Sequence, residues 1–146
     1  MKLKLVFVAL AAVTAAAQTP YAGSGPLKYA NGEFAGIHVQ CAGLDITVEN
    51  GGQVPVPAGS TCQVTPTLVN TGSAAWLPTA QSAGGVVLHT SAGDLTLAGS
   101  LGYLQRTGLA PLTVTVGQTS LDITGRLNIQ GTGPFGEVLH VTLAAQ

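Results

Sequence analysis

Beyond its first seventeen residues the chain never shows the 3.6-residue apolar spacing of an amphipathic helix; it offers short runs of alternating or mixed apolar character, cut by glycine, proline and asparagine. Such a chain builds sheets. The runs fall at 34–41, 44–49, 61–69, 85–90, 94–98, 101–106, 112–116, 120–130 and 137–144, with turn signals at Asn50-Gly51-Gly52, Asn70-Thr71-Gly72, Ala92-Gly93-Asp94 and across 131–136. Spacing of this kind predicts an all-β domain, an immunoglobulin-like, Greek-key β-sandwich of eight or nine strands. Alternation also gives the expected core: Ile37, Val39 and Cys41; Leu44, Ile46 and Val48; Val64 and Leu68; Leu112, Val114 and Val116; Leu121, Ile123, Leu127 and Ile129; Leu139, Val141 and Leu143. Trp76, after a turn and before Pro78, is expected to plug one end of the sandwich. A membrane β-barrel is the competing all-β reading. With aromatics at only 5% the chain has no aromatic girdles, and many runs are shorter than the ~9–11 residues of a spanning strand.

The N-terminus carries a different signal. Lys2 and Lys4, the apolar run 5–13 and the small residues Ala15-Ala16-Ala17 read as a secretory signal peptide over 1–17. Gln18 rather than a cysteine follows the expected cleavage site, so a lipid-modified N-terminal cysteine is not expected, and no twin arginine precedes the apolar run. The expected organisation is signal peptide 1–17, an irregular lead-in 18–33, and one sandwich domain 34–146. The 129 residues left after cleavage at Ala17 (146 minus 17) are enough for one core. That run is too short to span a bilayer and no later segment comes closer, so no transmembrane span is expected and the location is extracytoplasmic: secreted, periplasmic or envelope-associated.

Charge narrows the partners. Without Lys2 and Lys4 the cations are Lys28, Arg106 and Arg126 against six acidic residues, a formal net charge of 3 − 6 = −3. Nucleic acid is gripped by clustered Lys and Arg, which are absent here. Charged residues make up 8% of the sequence, against ~25% in typical soluble domains. A weakly charged Thr, Ser and Gly surface suits association, and a cell-envelope or surface-layer assembly, as an oligomer or accessory subunit, is the expected partner. Cys41 and Cys62 are an even pair in an oxidising compartment, read as one disulfide joining neighbouring strands.

Chemistry has few carriers. Residues 131–136 match a dinucleotide glycine spacing by letter, but they hold Pro134 and join two strands, so they read as a turn. There is no nucleophile elbow, Walker loop or Cys-x-x-Cys pair. The histidines are His38, His89 and His140, each inside an expected strand. His38 and His140 alternate with apolar neighbours and point away from them; His89 is ambiguous. Three imidazoles with an open position suit a redox or Lewis-acid metal. The alternative is three unrelated surface histidines.

Gly36-Ile37-His38-Val39-Gln40 resembles the Gly-Phe-His-Val-His strand of the copper/zinc superoxide dismutases, and Val138-Leu139-His140 is similar to a later copper-ligating strand of that family. His89 through Leu95 is a longer echo of the family's zinc segment. The resemblance implies a copper-only relative with His38, His89 and His140 as ligands, dismutation of superoxide by alternate reduction and reoxidation of copper, and Arg106 or Arg126 as the anion-guiding cation. Gln40 departs from the pattern where a second histidine is expected, and an amide oxygen is a poor copper ligand. The reading of a different class is a non-catalytic immunoglobulin-like subunit of an envelope or surface assembly. Asn70-Thr71-Gly72-Ser73-Ala74-Ala75-Trp76 is similar to the Asn-Thr-Gly strand turns of adhesion-like modules.

Overall fold

Two ten-residue strands, β1 (Gly32–Cys41) and β4 (Thr61–Asn70), pair antiparallel from Gly32↔Asn70 to Gln40↔Gln63 and form the spine of one sheet. Their inward residues Ile37, Val39 and Val64 are fully buried and Leu68 almost so, while the alternate residues His38, Gln40, Thr65 and Thr67 face outward. The computed structural model describes residues 30–78 and 84–146; the expected signal peptide and residues 18–29 of the lead-in lie outside them.

The first sheet runs β2 (Leu44–Val48), β1, β4, with β7 (Arg106–Gly108) and β8 (Leu112–Thr115) following one another along the far side of β4. The second runs β3 (Gln53–Val56), β10 (Gly133–Ala145), β9 (Leu121–Ile129), β5 (Val86–Thr90), β6 (Gly93–Thr96). Because β4 returns beside β1 after β2 and a crossing to β3, the chain makes a Greek key split over two sheets. The protein is therefore an all-β sandwich, and no barrel closes among the described residues. Leu88, Ile123, Leu127, Leu139, Val141 and Leu143 of the second sheet meet the first in one core. Each such side chain stabilises the fold by ~1.5–3 kcal/mol on burial.

One end of the core is closed by an amide and an indole. Asn70 is fully buried; its Nδ2 donates to the carbonyls of Ala74 and Leu101, each at 2.9 Å, and its Oδ1 accepts from the Gly72 amide at 3.0 Å. The Asn-Thr-Gly turn is thus a structural clasp that delivers Trp76, 1% exposed, edge-on to Phe135 at 5.4 Å between ring centroids. Trp76 plugs the end as expected. The chain must come very close here: a Cβ on Gly32 would stand 2.5 Å from the indole, and one on Gly136 (φ 70°) would stand 2.8 Å from the Gly32 carbonyl oxygen. Glu137 pins the same junction between sheets, its Oε2 accepting from the Phe34 amide at 2.9 Å.

Among the described residues ten strands form, rather than eight or nine. The added one is β3, which lies parallel to β10 on the sheet edge; Pro55 and Pro57 disguise it, since proline is tolerated only where no ladder donor is needed. The expected strand 101–106 is instead a turn, with only Arg106–Gly108 extended. Its cause is capture by neighbours: Leu104 takes a left-handed backbone (φ 58°), its amide donates to the Asn70 carbonyl at 2.7 Å, and the Gly102 amide donates to Gln105 Oε1 at 2.6 Å. Part of the expected turn 131–136 is strand, since β10 starts at Gly133 and carries a bulge between Phe135 and Val138. In β2 the expected core residues are incompletely covered: Leu44 and Val48 are half-buried and Ile46 is 39% exposed.

The disulfide is formed between Cys41 and Cys62, Cα atoms 4.3 Å apart, where β1 lies beside β4. Closing this loop of 21 residues stabilises the fold by about 3 kcal/mol in the chain-entropy model. A Cys41→Ala, Cys62→Ala double variant is expected to lose about that much in urea unfolding, with the same β-sheet circular dichroism. Asn70→Ala is expected to cost about 3 kcal/mol or more in the same assay, because two carbonyls and one amide lose their buried partner at once.

Candidate functional site

Each histidine belongs to a hairpin. On β1, His38 lies between two fully buried residues, so its imidazole projects from the outer face of the first sheet. The two-residue turn Ala42-Gly43, with Gly43 at φ 76°, sets Gln40 opposite Asp45 on β2 and leaves His38 diagonal to it. His38 Nε2 stands 2.6 Å from Asp45 Oδ1, and Gln40 Nε2 donates to Asp45 Oδ2 at 3.0 Å. These two bonds, that from His38 the stronger, hold the Asp45 carboxyl below its ordinary value of 3.8.

The same construction recurs twice. In the β5–β6 hairpin His89 is directly opposite Asp94, and Nδ1 lies 2.9 Å from Oδ1. Thr90 fixes that turn, its hydroxyl donating to the Gly93 carbonyl at 2.6 Å and accepting from the Ala92 amide at 3.1 Å. Leu88 faces the core, so His89, ambiguous by pattern, is turned outward with its side chain 51% exposed. In the β9–β10 hairpin the bulge aligns His140 with Thr124 and Asp122 with Thr142. His140 Nε2 is 3.6 Å from Asp122 Oδ1, which also accepts from the Thr142 hydroxyl at 2.5 Å. Asn50 clamps the backbone there: Oδ1 accepts from the His140 amide and Nδ2 donates to the Val138 carbonyl, both at 2.7 Å.

Asp45, Asp94 and Asp122 are all the aspartates of the sequence. Every histidine is matched to one of them across its own hairpin. The sequence assigns no site role to Asp45, Asp122 or Asn50, and Asp94 enters it only within a turn and the segment 89–95. A signal for two of them exists, since Leu-Asp-Ile-Thr occurs at 44–47 and again at 121–124, each time on the strand beside a histidine.

The three histidines expected to share one centre do not converge. His38 is on the outer face of the first sheet, while His89 and His140 are on that of the second, across the core. On that second face β9 stands between them, with His89 aligned to Arg126 and His140 to Thr124. Two strand spacings and a two-residue offset put their Cα atoms about 12 Å apart. Among the described residues no group of three or more His, Cys, Asp or Glu side chains is placed to hold a metal ion. Gln40, at the resembled ligand position, spends its amide on Asp45. Arg126 sits beside His89, whereas Arg106 is in the other sheet, lining an open groove of about 410 Å³ with Ser100, Gln105 and Thr107. Each imidazole has a carboxylate partner of the kind that orients a general base; the Ser91 hydroxyl near one of them donates to the Asp122 backbone carbonyl at 3.4 Å.

No protein-family model matches the chain, and a search of curated proteins gives no match either.

The Asp45 pair sets a pH dependence with a definite sign. A carboxyl whose value is lowered by folding adds stability that is present above about 3.8 and is lost as pH falls through the lower folded value. The difference in melting temperature between the protein and its Asp45→Asn variant is expected to be largest above that point and to shrink below it. A gap that stays constant through the acid range would contradict the pairing.

Proposed function

We propose that the protein is a non-catalytic extracytoplasmic β-sandwich module, a structural or accessory subunit of a cell-envelope or surface assembly, acting through its faces and edges. One observation carries this reading: the three imidazoles are split between opposite faces and each is engaged by an aspartate of its own hairpin. A redox centre needs its ligand nitrogens within ~2.0–2.1 Å of one ion. Hairpin clips need only neighbouring strands. The disulfide supports an oxidising compartment, and no helix of the described residues is long and apolar enough to cross a membrane. The sparse charge of the sequence, 8% of residues, fits surfaces that meet other protein rather than polyanions.

The copper-dismutase alternative draws on the same residues, so one experiment separates the two. The protein is loaded with copper, desalted and measured by mass spectrometry beside a His38→Ala, His140→Ala variant. Substoichiometric copper, equal in both proteins, is expected. One copper per chain that disappears in the variant, together with dismutation of superoxide, would overturn the module reading.

A further inference from the structure

Among the described residues the sandwich has four sheet edges, and they are guarded to different degrees. Edge strands expose unpaired amides and carbonyls, and proteins blunt them with proline, charge, brevity or interruption. Strand β3 carries Pro55 in its middle and is followed by Pro57. Strand β6 has only four residues, and its Asp94 is tied to His89 on β5. The third edge is broken into β7, of three residues and carrying Arg106, and β8, of four, with Pro111 between them. The fourth, β2, is the least guarded: its five residues Leu44-Asp45-Ile46-Thr47-Val48 contain no proline or basic residue and pair with β1 in unbroken register. Its one charge, Asp45, is held toward β1 by His38 and Gln40.

This edge also leaves apolar surface uncovered. Ile37 and Val39 of β1 are fully buried by the second sheet, but Val48 and Ile46, aligned beside them on the same face, are half-buried and 39% exposed. Among the described residues the apolar face thus extends to β2 with no strand beyond it. A further strand laid against β2 would satisfy the open backbone groups and continue the apolar face.

We propose that this strand is β2 of a second copy, paired antiparallel about a two-fold axis at Ile46. An isologous contact must be self-complementary, and this register is. It sets Ile46 against Ile46 and Leu44 against Val48 on the apolar side, and Asp45 against Thr47 on the outer side, carboxylate facing hydroxyl. Its neighbours fail. A shift by one residue mismatches the two faces. A shift by two places Asp45 opposite Asp45 in one direction and opposite Glu49 in the other, like charges directly opposed. Only the Ile46-centred register avoids both faults, and the two sandwiches then share a ten-stranded sheet made of both copies' first sheets. The inference rests on the module reading above and names one partner for it. A one-strand contact is small against the ~1,200 Å² of a stable interface, so the dimer forms with concentration rather than permanently.

Sedimentation of the disulfide-bonded protein over a wide concentration range tests this, with Ile46→Lys and Ile46→Cys variants and Val138→Cys, on the other sheet, as control. Mass rising toward twice the monomer is expected for the native protein, with Ile46→Lys monomeric throughout at an unchanged melting temperature. Mild oxidation should link Ile46→Cys into dimers and leave Val138→Cys single. A native protein monomeric at every concentration, or association that survives Ile46→Lys, overturns the pairing; either result leaves the module reading standing, which only retained copper with activity removes.

Discussion

Among the described residues Asn70 is the one residue of polar type buried in a predominantly apolar core. Burying an amide without partners costs several kcal/mol, and here all of its polar atoms are used. Its bonds reach the turn that delivers Trp76 and the Leu101 strand-bridge opposite, while its backbone carbonyl receives the Leu104 amide. Thus the end of β4, the turn that leads to Trp76 and the approach to β7 are fixed from one position. The glycines at 32 and 136 are the corollary, since the indole so placed leaves no room for a Cβ on Gly32, and the Gly32 backbone leaves none for one on Gly136.

Much of this was legible from alternation alone. Ile37 and Val39, Ile123 and Leu127, Leu139 through Leu143 announce their strands and their inward faces, because a period of two admits no other arrangement around one core. Cys41 and Cys62 were likewise readable as a strand-to-strand bridge. What could not be read depends on neighbours distant in sequence. Pro55 belongs to a strand only because β10 accepts a parallel edge partner there, and the apolar residues near Leu101 form a turn only because Asn70 and Gln105 capture their backbone.

The histidines show the limit most clearly. Alternation gave the outward direction of His38 and His140, but direction within a strand says nothing about which sheet the strand joins, and the two lie in different sheets. Pairing inside a hairpin is a local matter, decided by turn length and bulges, so the aspartates opposite them follow from register once the turns are known. Convergence of three imidazoles is a global matter. A pattern shared with a metal-binding strand over five residues constrains the first and not the second.

Strand β10 lies between β9 and β3, although β9 precedes it directly and β3 precedes it by most of the domain. The order of events in folding follows from that wiring. The hairpins and the short disulfide loop can form as soon as their own residues are available, but β3 has no sheet to join until β10 is in place. Closing so long a loop is entropically slow. Until then the chain is half a sandwich with an apolar face open to its surroundings, a state in which other chains compete for that face. The prolines of β3 matter most in that interval, when they keep a waiting strand from pairing with a wrong one.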